Sequence, residues 1–251
     1  MLLRKPVFEY YMQASFKGML WFLLIWTGIF ILTTIGMASI TVEGDGVVFF
    51  GTELAFFTSF LIGCMSSFTA ELHFMFQHGV SRRSAFGSFV LHVFAMGAVY
   101  AAVLYGSTVL FNAIGDLLNL QNHSQMFDLF YAARLETMGV VPRILTTFLF
   151  LWGVLSLAGV LGYLVTLIFY RLNKIGKTLL GGAAVALAIT LPFLNMITGG
   201  RIWQFALWFW ALFRGGDEFA NPWRGTAVFF ALTAILLVPC WLLIRRLKMK
   251  K

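Results

Sequence analysis

Of 251 residues, 60% are hydrophobic and 17% aromatic, while 11% carry a charge. A water-soluble domain carries charge on roughly 25% of its residues, so a soluble enzyme or binding module is excluded and the surplus apolar surface must face lipid. The formal charge is nonetheless +8. Nucleic-acid binding and sidedness in a membrane both produce such a figure, and the placement of the charges decides between them.

In chain order, residues 1–18 read as a helix lying in the membrane interface. Pro6 suits a first helical turn, and Glu9, Gln13 and Lys17 form a polar stripe opposite Val7, Phe8, Tyr11 and Ala14. Phe16 interrupts this pattern, and a frayed tail is the alternative. Six stretches then reach the length of about 20 apolar residues that a crossing needs: 19–40, 47–70, 85–115, 144–170, 178–200 and 225–244. The fold class expected is therefore all-α and polytopic, a single transmembrane domain over 1–251 with both termini on one side. That side collects thirteen of the 18 basic residues, among them Arg4, Lys17, Arg82, Arg83, Arg171, Lys174, Arg245 and Arg246, against only Glu9 and Glu71. Its net charge is +11, and the opposite side nets −3. Basic residues accumulate on the cytoplasmic side, so the termini are expected there and no nucleic acid is needed to explain the charge. Residues 1–18 are too polar for a signal-peptide core. Cys64 and Cys240 both fall within expected spans, which argues against a disulfide framework.

The connection at 71–84, Glu-Leu-His-Phe-Met-Phe-Gln-His-Gly-Val-Ser-Arg-Arg-Ser, is the most specific stretch. Its front half is compatible with a short helix. Gly79 can end that helix in a left-handed conformation, Ser81 can cap the next one, and Arg82 and Arg83 mark the cytoplasmic boundary. Physics alone allows either a functional knob or a basic loop that only sets topology.

Glu71, Phe74 and the run Gln77-His78-Gly79-Val80-Ser81-Arg82-Arg83 together resemble the corresponding loop of small bacterial ABC-2 type permeases, the membrane subunits of ATP-driven exporters. The resemblance extends to the six expected spans, the cytoplasmic termini and the N-terminal interfacial helix. It implies a multi-pass protein of the bacterial cell membrane whose loop is a coupling helix seated in a groove of a separate ABC ATPase subunit. Glu71, Phe74, Gln77, His78, Gly79, Val80, Ser81 and Arg82 become the candidate contacts. It further implies a second permease copy, identical or paralogous. Within the family, exporters of cytolytic or antimicrobial peptides such as the phenol-soluble modulins are nearest in size and loop pattern, which favours an amphipathic peptide as cargo. Lipid, glycolipid and drug export stay open, as does a stand-alone channel or intramembrane hydrolase.

Two outer segments follow. Around 124–139, Ser124 can cap a helix whose Met126, Phe127, Phe130, Tyr131 and Met138 are expected to face the membrane. Residues 202–213 are apolar but too short to cross, so 201–223 reads as re-entrant or interfacial. Trp203, Trp208, Trp210 and Trp223 would belong to an aromatic belt. In ABC-2 permeases this place carries short helices closing the outer end, which makes Trp203, Phe205, Trp208 and Phe209 outer-gate candidates; a lipid anchor is the alternative.

No GxxxxGK[ST] loop is present, so the cradle for ATP and Mg is expected in the partner subunit, with no catalytic residue, metal or cofactor in this chain. Cys64, Ser66 and Ser67 with His92 are the nearest approach to a nucleophile and base, and bonding to neighbouring helices explains them better. Glu53 is expected in an outer vestibule. The small-residue pairs Gly97/Ala101, Ala158/Gly162 and Gly182/Ala186 suit a dimer seam, though membrane helices are rich in Gly and Ala anyway, and Pro192 and Pro239 can bend their helices.

Overall fold

The structure, a computed structural model, describes residues 8–9, 12–13, 15–25, 27–28, 51–77, 79–117, 127, 130–131, 134, 138–201, 203–205, 208, 211 and 221–246. They are helical apart from short turns, with no strand among them. We label the helices α1 (Ser15–Ile25), α2 (Gly51–Gln77), α3 (Arg82–Leu117), α4 (Val140–Arg171), α5 (Lys174–Ile197) and α6 (Pro222–Arg245). Among the described residues three helical stretches are long and apolar enough to cross a membrane: Arg82–Leu110 of α3, then α4 and α6. An all-helical chain with these three stretches is a membrane protein.

The helix limits differ from expectation where local chemistry permits extension. Helix α4 starts at Val140 because Pro142 falls in its first turn, where a missing N–H costs little. Helix α6 starts at Pro222, with the Asn221 side chain accepting from the Trp223 backbone N–H at 3.1 Å. It continues unbroken through Pro239. Helix α2 runs to Gln77, because no glycine or proline between Ala70 and Gln77 stops it. The short separate helix expected after the second span is thus the end of α2. At 1.5 Å per residue α2 is about 40 Å long, roughly 10 Å more than the hydrocarbon layer.

Helix α4 is the central element, packed against α2, α3 and α6. A Cβ on Gly162 would lie 2.5 Å from the Leu61 carbonyl oxygen, and one on Gly159 would lie 2.8 Å from Phe60 and 2.9 Å from Val93. Only glycine lets α2 approach this closely. On another side, Gly153 makes room for Phe229 and Phe230 of α6. The matched positions fix direction: 61 beside 162 and 65 beside 166 rise together, so α2 runs parallel to α4. Gly97 against Ser156 and Val93 against Gly159 run oppositely, so α3 is antiparallel to it. Two of the expected dimer-seam pairs therefore lie inside the chain: Gly162 buries against α2 and Gly97 against α4, and Ala158 and Ala101 are fully buried. Gly182 and Ala186 of α5 are exposed.

Aromatic packing supplies much of the remaining core. Phe89 stacks on Tyr163 with centroids 3.4 Å apart, and Phe60 meets Tyr100 at 4.9 Å. Phe127 and Tyr131 are 0% and 2% exposed, and their rings pack on Phe150 of α4. They form part of the core, which corrects the lipid-facing assignment. Buried threonines close their hydroxyls on their own helices, as Thr108 does on the Leu104 carbonyl and Thr233 on that of Phe229. Trp152 Nε1 donates across to the Phe94 carbonyl at 2.8 Å, joining α4 to α3.

Candidate functional site

The α2–α3 connection is built from backbone chemistry readable at each residue. Helix α2 ends at Gln77, and Gly79 takes φ +73°, a left-handed conformation open to glycine at little cost. Val80 turns inward and is buried. Ser81 then caps α3: its Oγ accepts from the Ser84 N–H at 3.2 Å, and its carbonyl accepts from Ala85 N–H at 2.9 Å. The reversal between two long helices thus occupies four residues. Glu71, Phe74 and Gln77 lie in the last two turns of α2. His78 lies outside the described residues.

Arg82 has a partner that its position in the sequence does not announce. Its Nη1 donates to the Arg245 carbonyl, 2.6 Å away at the C-terminal end of α6. Arg171 Nη2 likewise donates to the Leu243 carbonyl at 3.0 Å. The last carbonyls of a helix lack intrahelical donors and carry the negative end of its dipole, so two guanidinium groups there are favourable on both counts. These bonds bring Arg82, Arg171 and Arg245 to one end of the bundle. All three belong to the basic set that the charge pattern assigns to a single side. Arginines expected at helix boundaries were the available signal, but which carbonyls they reach required the fold.

At the other end of α5 the chain reverses through Gly199 and Gly200, and Gly200 N–H reaches the Asn195 carbonyl at 2.8 Å. Asn195 Oδ1 accepts from the Trp203 backbone N–H at 2.9 Å, holding the start of the following helical residues. Trp203, Phe205 and Trp208 are each at least 60% exposed, with the Phe205 and Trp208 rings 5.8 Å apart. Phe209 lies outside the described residues. Glu53 falls in the first turn of α2, where the helix dipole favours a carboxylate.

His92 is buried on α3 and its Nε2 hydrogen-bonds Ser15 Oγ at 3.1 Å, a contact between residues 77 apart in sequence. Ser66 donates to its own Gly63 carbonyl. The structure therefore ties His92 to α1 rather than pairing it with Ser66. Beside this contact a groove of about 520 Å³ opens between α1 and α2, with Tyr100 of α3 in its wall. A smaller cavity of about 270 Å³ lies toward the start of α4 and includes Asn112 and Arg143. No group of three metal-ligating side chains occurs among the described residues.

No protein family, curated protein or solved structure matches the chain.

Proposed function

We propose that the chain is the permease subunit of an ATP-driven exporter in the bacterial cell membrane, coupled through 71–84 to a separate ABC ATPase. The observation that carries this reading is the connection itself: α2, 27 residues long, turns within four residues and feeds directly into α3. A connection this short has little slack, so a load applied to it moves the helices rather than the loop. Arg82 joins the same load to the end of α6. The resemblance of the loop residues to those of ABC-2 permeases supports the same assignment.

In this reading six helices cross, both termini are cytoplasmic, and the segment 201–223 enters the outer leaflet without crossing. The partner ATPase binds ATP and Mg, and its closure presses on Glu71, Phe74, Gln77, His78, Gly79, Val80, Ser81 and Arg82. A second permease copy completes the pathway, and Trp203, Phe205, Trp208 and Phe209 close its outer end. The chain contributes mechanical gating and no covalent chemistry. An amphipathic peptide is the favoured cargo, since a pathway between helices with so few fixed charges offers little to a strongly ionic one.

Affinity purification of the tagged full-length chain from its own cells is the test. The expected result is co-purification of a Walker-motif ATPase whose activity amphipathic peptides stimulate more than lipids do. Phe74→Ala and Gln77→Ala should leave the chain in the membrane while uncoupling that ATPase. Absence of any ATP-binding subunit, with transport indifferent to both substitutions, would sink the proposal.

A further inference from the structure

The groove between α1 and α2 is a built cavity, separate from the coupling connection and from the outer segment. Its volume of about 520 Å³ lies in the range of small-molecule sites, about 300–1,000 Å³. Phe60, Cys64 and Tyr100 are nearly fully buried and form its depth, while Gly18, Thr58, Ile62 and Ser66 are exposed at its rim. No formally charged residue is among the described residues that line it. A ligand carrying a net charge would gain no ion pair there, so its occupant is uncharged where it enters.

The hydroxyls set a further condition. Thr58 Oγ1 spends its one proton on carbonyls of its own helix, Leu54 at 2.8 Å and Ala55 at 3.1 Å. Ser66 Oγ donates to the Gly63 carbonyl at 3.1 Å. The Ser59 hydroxyl lies beside that of Tyr100, and Ser15 Oγ is engaged with His92 Nε2 at 3.1 Å. A hydroxyl has one donor and two acceptor lone pairs, so Thr58 and Ser66 can offer the groove only acceptors. An occupant matching them must bring its own N–H or O–H, and the Phe22 and Phe60 walls suit an apolar chain beside it.

We infer that this groove binds a single-chain amphiphile with an uncharged hydrogen-bond donor at its head, an alcohol or amide. The site follows from its lining and does not depend on the exporter reading or on an ATPase.

The test uses the full-length chain in phosphatidylcholine nanodiscs and a long-chain alcohol carrying a diazirine, with crosslinks mapped by mass spectrometry after irradiation. Labelling is expected to concentrate in residues 15–22 and 55–66. Unlabelled hexadecanol should compete for it about fivefold better than methyl hexadecanoate, which lacks the donor; a single net hydrogen bond accounts for a difference of that size. Thr58→Val combined with Ser66→Ala, both at exposed rim positions, should erase the alcohol's advantage while leaving labelling by an ester probe in place. The inference is overturned by labelling that spreads over α5 and α6 in proportion to their exposure. It is equally overturned if alcohol and ester compete equally in the unsubstituted chain, or if the double substitution leaves the preference intact.

Discussion

Replacing Gly162 with alanine tests whether α4 is the axis of the bundle. The new Cβ would lie 2.5 Å from the Leu61 carbonyl oxygen and 3.3 Å from both its carbonyl carbon and Met65 Cγ. The obstacle is backbone, which cannot rotate away as a side-chain tip can. Since ordinary contact begins at 3.4 Å, α2 must retreat by about 0.9 Å at this crossing. A gap of about 0.5–1 Å forfeits a quarter to a half of the dispersion well for each pair that loses contact. The same movement stretches the 3.4 Å bond from Thr166 Oγ1 to the Met65 carbonyl one turn along. Alanine also brings a gain of about 1 kcal/mol over glycine in helix propensity, which would obscure the clash if Gly162→Ala were measured alone. Gly182→Ala on α5, where nothing lies within 4 Å, carries that gain without the clash. The difference between the two variants therefore isolates overpacking, about 1–3 kcal/mol against Gly162→Ala. Equilibrium unfolding in mixed dodecylmaltoside–SDS micelles, followed by tryptophan fluorescence, measures it. Equal stability of Gly162→Ala and Gly182→Ala would refute the close α2–α4 crossing.

Phe127→Ala should cost about 3–5 kcal/mol in the same assay, because the ring is fully buried against Tyr131 and Phe150; a lipid-facing ring would give almost no loss. Gly79→Ala places a Cβ residue at φ +73° and should lose about 1–2 kcal/mol, while Gly79→Asn loses less. Unfolding measurements on the pair check that ordering, and equal losses would mean the left-handed turn is not what constrains the site. Arg82→Gln should cost no more than about 1 kcal/mol, as an exposed contact. Combined with Arg171→Gln it should depart from additivity, since both side chains hold carbonyls at the same end of α6; strictly additive losses would show that the two arginines act independently.

What the sequence made legible was local. Gly79 and Ser81 act within four residues of themselves, so the turn and the cap could be placed from residue type and order alone. Long apolar runs likewise located helices, with ends displaced by a few residues where proline at a first turn allowed extension, as at Pro142 and Pro222. Contacts across the chain were a different matter. Phe127 looked lipid-facing because an apolar ring reads the same whether its neighbour is an acyl chain or Phe150. The Ser15–His92 bond joins residues that no spacing rule connects. Arg82 was readable as a boundary residue and a candidate contact, but its hold on α6 depends on where that helix ends. His78 and Phe209 lie outside the described residues.

The two small-residue pairs that lie inside the chain expose the physical reason. In lipid, burying an apolar face drives helix association weakly, because acyl chains are as apolar as leucine. Close fit and a few hydrogen bonds then choose the neighbours. A pair such as Ala158/Gly162 states that something approaches closely and is silent on what. The fold names the neighbour at each position. On α4, Gly153 faces α6, Gly159 faces α2 and α3, and Gly162 faces the α2 backbone, while Ser156 sits over Gly97 of α3. Small residues on several sides are what a helix surrounded by neighbours requires. On α5, Gly181 and Gly182 are adjacent and meet nothing within 4 Å. Neither glycine frequency nor its spread around the axis separates these two helices, since Gly176, Gly181 and Gly182 also point three ways at about 100° per residue. What separates them is the neighbour each glycine meets, which only the fold supplies: backbone and rings of other helices on α4, and open space at Gly181 and Gly182 on α5.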